Sequence, residues 1–148
     1  MRYLGLDLGT KTLGLSISDK TGLIASAYKT LRFEESDYDS VLPELKNIVE
    51  TEQIEKIVLG LPRHMNYDFG EKAQIATDFG NKISDYLGIE VIMQDERRTT
   101  IQATNYMLEA NVSRKKRKEK IDSLAANIIL QSYLDRKRNE KHEWKNDI

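Results

Sequence analysis

Three short apolar stretches, Arg2–Leu8, Thr12–Ser18 and Ile24–Leu31, follow one another across turns far too short for a crossover. Strands joined so tightly pair as antiparallel hairpins. Gly9-Thr10 and Lys20-Thr21-Gly22, between them, are residue types that reverse a chain. The period then changes. Val41, Leu42, Leu45, Ile48 and Val49 recur at helical spacing and predict a helix over Asp39–Glu52. Lys56–Leu59 reads as a strand stopped by Gly60 and Pro62. A helix carrying Ala76, Phe79, Ile83, Tyr86 and Leu87 follows, with Gly88 as its terminator. Glu90–Gln94 is a fifth strand. Helices near Thr99–Ala110, capped by Thr99 or Thr100, and from Glu119 to Lys137 complete the order βββ-α-β-α-β-α-α. The fold class is therefore α/β: a five-stranded mixed sheet, three antiparallel strands then parallel crossovers, with helices on both faces. Residues 1–137 form one domain, and 138–148 is a polar C-terminal tail expected to fray.

Composition narrows the chemistry. The 148 residues contain no cysteine, which excludes disulfides, thiolate metal sites and cysteine nucleophiles. No apolar run approaches the ~20 residues of a membrane helix, and Asp7 interrupts any signal-peptide core, so a cytoplasmic location is expected. Net charge is -1, which alone says little about partners. Its distribution says more: residues 75–148 carry 14 Lys/Arg against 12 Asp/Glu, and Arg114–Lys118 reads RKKRK.

Three carboxylates stand out. In YLGLDLG, alternation puts Leu4, Leu6 and Leu8 on one face and Tyr3, Gly5 and Asp7 on the other. A carboxylate inside a strand needs partners or a cation; a turn-stabilising aspartate held by backbone donors is the competing reading. Asp95 and Glu96, in QDERRTT, follow the fifth strand, and open α/β sheets bind ligands beyond strand carboxyl ends. A helix start with acids near its positive end accounts for Glu96, less well for Asp95. Asp122 opens the last helix, followed by Ser123, Ala125 and Ala126, whose small side chains permit close packing on the sheet. Taken alone, Asp122 reads as a first-turn acid. Taken together, three carboxylates on separate elements, without cysteine and with only His64 and His142 elsewhere, describe an oxygen-ligand site for Mg²⁺ or Mn²⁺. Two such ions about 4 Å apart serve phosphodiester hydrolysis.

At these residues the sequence resembles a known family. GLDLGTKTLGLSISD, GLP followed by a Met-Asn pair, DERRTT and KIDSLAANIILQSY, in this order from Met1 to about Lys137, resemble the YqgF family. Its members are RNase H-like proteins described as pre-16S rRNA nucleases and formerly as Holliday junction resolvases. The resemblance implies an RNase H-like fold and metal-dependent cutting of a nucleic-acid backbone at the 5′ end of pre-16S rRNA, with acidic positions at Asp7, Asp95 and Asp122. Glu96 is a reserve ligand. One departure concerns the loop after GLP: Tyr67 stands where the family usually has glycine, so that loop is assigned no catalytic role.

The basic residues then acquire a reading. Arg114, Lys115, Lys116, Arg117, Lys118 and Lys120, expected in a loop before the Asp122 helix, together with Lys11 and Arg97, would hold phosphates without reading bases; a solvated charge run is the bland alternative. The expected partners are nucleic acid, with pre-16S rRNA ahead of branched DNA, and ribosomal precursor particles. No membrane is expected, and the chain is expected as a monomer or weak homodimer. Competing functions are a junction resolvase, a non-catalytic factor in transcription or ribosome assembly, and an actin-like or sugar-kinase-like ATPase. The last shares the Asp7–Thr10 phosphate turn but needs a second domain, and GLDLGTKT is not a Walker loop.

Overall fold

In the computed structural model, the described residues are 1–62, 69–95 and 114–146, with side chains described at 1–62, 70–95 and 123–139. The elements are β1 (Tyr3–Leu8), β2 (Thr12–Ser18), β3 (Ala25–Arg32), a 3-10 turn (Tyr38–Val41), α1 (Leu42–Thr51), β4 (Lys56–Leu61), α2 (Phe69–Leu87), β5 (Glu90–Asp95) and α3 (Arg114–Asn146). They form one five-stranded sheet in the order β3-β2-β1-β4-β5. β1–β2 and β2–β3 are antiparallel, while β1–β4 and β4–β5 are parallel. The three meander strands and the two crossover strands are thus where the loop lengths required them.

Strand alternation divides the core in two. Leu4, Leu6, Ile57 and Leu59 face α1 and α2, packing with Leu45, Ile48, Phe79 and Ile83. Tyr3 and Val58 face the other way and pack with Ile129, Leu130 and Leu134 of α3. The sheet is therefore covered on both faces, which explains the continuous apolar runs of its central strands.

The ends of two elements differ from expectation. The first helix begins with a 3-10 turn, and Pro43 stands in the opening turn of α1 itself, where its missing N–H costs nothing. The basic run Arg114–Lys118 is the start of α3, not a loop, and the helix continues through the polar tail to Asn146. Lys, Arg and Glu are strong helix formers, so these ends propagate the helix without an apolar stripe. At 33 residues, α3 is about 50 Å long and overhangs the sheet at both ends. The helix expected near Thr99–Ala110, the loop with His64 and Tyr67, and Glu96 and Arg97 lie outside the described residues. No helix among the described residues is long and apolar enough to cross a membrane.

The β2–β3 turn shows how local chemistry fixes a reversal. The Asp19 carboxylate accepts bonds from the Thr21 hydroxyl and from the N–H groups of Leu23 and Ile24, both at 3.0 Å. Gly22 supplies the positive φ of 73° that the turn requires. The Thr21 hydroxyl first, then the backbone donors, hold the Asp19 carboxyl well below the usual carboxylate range. A depressed folded-state pKa contributes stability above the unfolded value of about 4, and that contribution is lost as pH falls toward the folded value. In urea unfolding, wild type should therefore exceed Asp19→Asn in stability at pH 7, with the difference shrinking steadily below about pH 4. A gap that does not change with pH would contradict this.

Candidate metal centre

Of the predicted acids, Asp7 lies near the carboxyl end of β1 and Asp95 at that of β5. Asp7 is half-buried near the end of β1, paired with Gly14 of β2. The turn that follows is braced: Gly9 N–H donates to Thr12 O at 2.7 Å, and the segment after β3 returns to it through Phe33 N–H to Lys11 O at 2.9 Å and Ser36 N–H to Thr10 O at 3.1 Å. Asp7 thus sits at the root of a turn held from two sides, with exposed Lys11 at its tip.

Helix α3 lies close to the sheet here because β1 offers no side chain at Gly5 and β2 only the small Ser16 opposite it. A Cβ on Gly5 would collide first with the Ser16 hydroxyl, and would stand 2.7 Å from the Leu130 Cβ and 3.1 Å from the Ala126 carbonyl oxygen. The Ser16 hydroxyl, opposite Gly5 on β2, donates to that same Ala126 oxygen at 2.9 Å. Toward the other end of the helix, the Lys137 ammonium donates to the Tyr3 hydroxyl at 2.7 Å. The helix therefore runs antiparallel to β1. From Ala126 back to Asp122 is one turn, about 6 Å of rise, and from Gly5 on to Asp7 is two strand residues, about 6.7 Å. Asp122 thus takes its place in the helix at the height of Asp7, on the i, i+4 stripe that meets Gly5. Its side chain, like those of Arg114 to Lys118 and of Lys120, lies outside the described residues.

Asp95 is the last residue of β5, half-buried and paired with Leu61. Alternation separates it from Asp7. Gly5 pairs with Val58 and Val58 with Ile92, so Ile92 and then Gln94 share the α3 face with Asp7. Val91, Met93 and then Asp95 occupy the α2 face. Asp7 and the Asp122 position of the helix thus lie on one side of the sheet, and Asp95, at the end of β5, faces the other. Among the described residues no three His, Cys, Asp or Glu side chains are grouped to hold a metal ion.

Sequence reasoning missed one residue of this edge. Gln94 is 7% exposed, and its carboxamide oxygen has no hydrogen-bond partner among the described residues. The other fully buried polar side chains, Ser16 and Ser18, are on the same face and are bonded. A buried polar residue at the end of an apolar strand, directly before two acids, was the available signal.

A mixed sheet in this order, with a long helix seated on the first strand at Gly5, defines an RNase H-like domain. Thermus thermophilus RuvC in complex with a Holliday junction substrate aligns over 92% of this chain and 95% of its own, with a TM-score of 0.58 at 14% identity. The fowlpox virus resolvase in complex with Holliday junction DNA aligns over 91% and 97%, with a TM-score of 0.51 at 13% identity. The chain belongs to the RuvX family, described as a Holliday junction resolvase, which matches residues 1–136. Relatives in Lactococcus lactis strain IL1403 (45% identical, covering 90% of this chain and 94% of theirs) and Oceanobacillus iheyensis (43%, covering 93% and 100%) carry the description "Putative pre-16S rRNA nuclease". Membership places the chain among hydrolases of nucleic acid.

The close approach at Gly5 is the feature most exposed to test. Gly5→Ala should lower stability in urea by about 1–3 kcal/mol, because the Ser16 hydroxyl, Leu130 and the α3 backbone must all give way to admit a methyl group. Ser16→Ala should cost about 1 kcal/mol through the lost buried hydrogen bond. A Gly5→Ala chain as stable as wild type would mean that α3 is not seated as described.

Proposed function

We propose that this protein is a metal-dependent nuclease that hydrolyses phosphodiester bonds in processing the 5′ end of pre-16S rRNA, in the cytoplasm. The observation that carries the reading is the seating of α3 over Gly5, which sets Asp122 at the height of Asp7 at the carboxyl edge of the sheet. Family membership and the relatives' descriptions support the same class of substrate.

The residues present fit a hard divalent cation. The acidic donors are oxygens, there is no cysteine, and among the described residues the orphaned side-chain atom at this edge is a carboxamide oxygen. Such donors suit Mg²⁺ or Mn²⁺. In this reading Asp7 and Asp122 hold the cation from the strand and the helix, and Asp95 reaches it around the open end of β5. Divalent cations, when bound, supply an activated water and charge for the leaving oxygen. The chain's own work is to fix the carboxylates on rigid elements and to hold the phosphate backbone beside them.

That second task falls to the overhang of α3. Arg114, Lys115, Lys116, Arg117, Lys118 and Lys120 occupy the helical turns before Asp122, so the basic run is helix rather than loop. Lys11 stands on the turn beside Asp7, and Arg97 follows β5 in the sequence. Interactions of this kind position a strand without reading it. A Holliday junction substrate is the second reading, favoured by the family's own description.

Cleavage of precursor rRNA with Mn²⁺ tests the proposal. Wild type should cut, and Asp7→Asn and Asp122→Asn should lose at least about a hundredfold in rate while still binding RNA. Asp95→Asn and Glu96→Gln, compared side by side, assign the β5 ligand, since Asp95 occupies the α2-side position. Cutting of four-way DNA but not of rRNA would transfer the activity to the second reading. Undiminished rRNA cleavage by Asp7→Asn would remove the mechanism altogether.

Replacing the cations of Arg114–Lys118 with glutamine should weaken RNA binding and flatten the slope of log affinity against log salt concentration, by up to about 0.7 for each single-strand phosphate that is no longer neutralised. An unchanged slope would show the run to be solvated surface.

A further inference from the structure

From Asp7 the α3 face of the sheet continues across the meander to the edge strand. Asp7 pairs with Gly14, Gly14 with Thr30, and Thr12 with Arg32. The irregularity between β2 and β3 falls between Leu15 and Ser16, outside this stretch. Alternation is therefore unbroken here. Leu13 and Leu31 turn toward the α1 and α2 core, while Thr12, Thr30 and Arg32 turn to the side of Asp7. β3 runs parallel to β1, because each is antiparallel to β2. Arg32, the last residue of β3, thus stands at the end of the sheet where β1 presents Asp7. The two are separated by two strand spacings across and two residues along, about 12 Å between backbones.

The backbone that carries Arg32 is held in place. The Phe33 N–H donates to the Lys11 carbonyl oxygen at 2.9 Å, and the Ser36 N–H to that of Thr10 at 3.1 Å. The end of β3 is thereby tied to the turn after β1, so Arg32 and Lys11, both exposed, share one braced segment. Charge pairing sets them apart from other cations of the meander. Arg2 pairs with Glu52 and Lys29 with Glu44, whereas Arg32 and Lys11 have no side-chain hydrogen bond or ion pair among the described residues. Glu34, Glu35 and Asp37 follow Arg32 closely and are exposed, yet none of them is paired with it.

We propose that Arg32 is a phosphate-binding residue: with Lys11 it holds the nucleic-acid backbone beside the phosphate being cut, on a path that leaves Asp7 across β2 and β3. The inference rests on the reading that nucleic acid is cut at Asp7. A guanidinium is always charged and grips phosphate oxygens in a fork, so an unpaired one on a rigid strand end suits an anion from outside the chain. Its distance from Asp7 directs it to a neighbouring phosphate rather than to the one undergoing hydrolysis. The basic run of α3 reaches the substrate from the helix, and Arg32 adds a contact from the sheet. A cation on an edge strand also discourages strand-to-strand association, but that role involves no particular phosphate.

The test is binding of the full chain to single-stranded RNA, without divalent cation, across a salt series. Arg32→Gln should weaken binding several-fold and lower the slope of log affinity against log salt concentration by about 0.7, the share of one phosphate. Arg32→Lys should keep the slope. Lys20→Gln removes the same charge from an exposed position past the opposite end of β2 and should leave the slope unchanged. Single neutral methylphosphonate linkages, placed in turn along the strand, locate the contact. A linkage that weakens wild type should have no further effect on Arg32→Gln. A slope and linkage pattern untouched by Arg32→Gln would overturn the proposal, as would equal losses in Arg32→Gln and Lys20→Gln. Cleavage with Mn²⁺ separates the two levels. If wild type cuts precursor rRNA and Arg32→Gln binds as wild type does, the role of Arg32 falls and the nuclease reading stands. If wild type neither binds nor cuts nucleic acid, both fall.

Discussion

Everything at the carboxyl edge depends on how closely α3 lies on β1 and β2. The helix touches the sheet where Gly5 has no side chain, where Ala126 presents its backbone, and where the Ser16 hydroxyl takes up the Ala126 carbonyl oxygen. The buried apolar residues Ile129, Leu130 and Leu134 supply the adhesion, but apolar burial is not directional. The glycine and the hydroxyl fix the height and the register, and the register is what carries an acid on a helix to the level of an acid on a strand.

The rest of the sheet serves the same end. α1 and α2 cover one face with ordinary apolar packing, which leaves the other face for α3 and for polar residues. Ser16, Ser18 and Gln94, the buried polar side chains among the described residues, are all on that α3 face. Packing stability and chemistry are thus divided between the two sides of one sheet. The length of α3 adds a third element: its middle packs, while its first turns, rich in arginine and lysine, extend past the acids.

Much of this was legible in the sequence. Short turns forced the antiparallel meander, the change of period marked the crossovers, and alternation across YLGLDLG put Asp7 on the face of Gly5. What was not legible has physical causes. The basic run before Asp122 and the polar tail carry no apolar stripe, so periodicity could not report that both belong to one helix. β5 is apolar on both faces from Val91 to Met93, as a strand buried between layers is, so nothing in the string told which face Asp95 would take; pairing with Leu61 put it on the α2 side. Gln94 escaped notice because a single polar residue closing an apolar run gains meaning only when its burial and its face of the sheet are known.

The central claim is that a strand acid and a helix acid, far apart in sequence, share one cation at this edge. A crystal structure grown with Mn²⁺ and phased on its anomalous signal addresses it directly. The account predicts manganese density at the carboxyl end of β1, within coordination distance of both Asp7 and Asp122. Manganese bound elsewhere, or the two carboxylates too far apart to share it, would contradict the account.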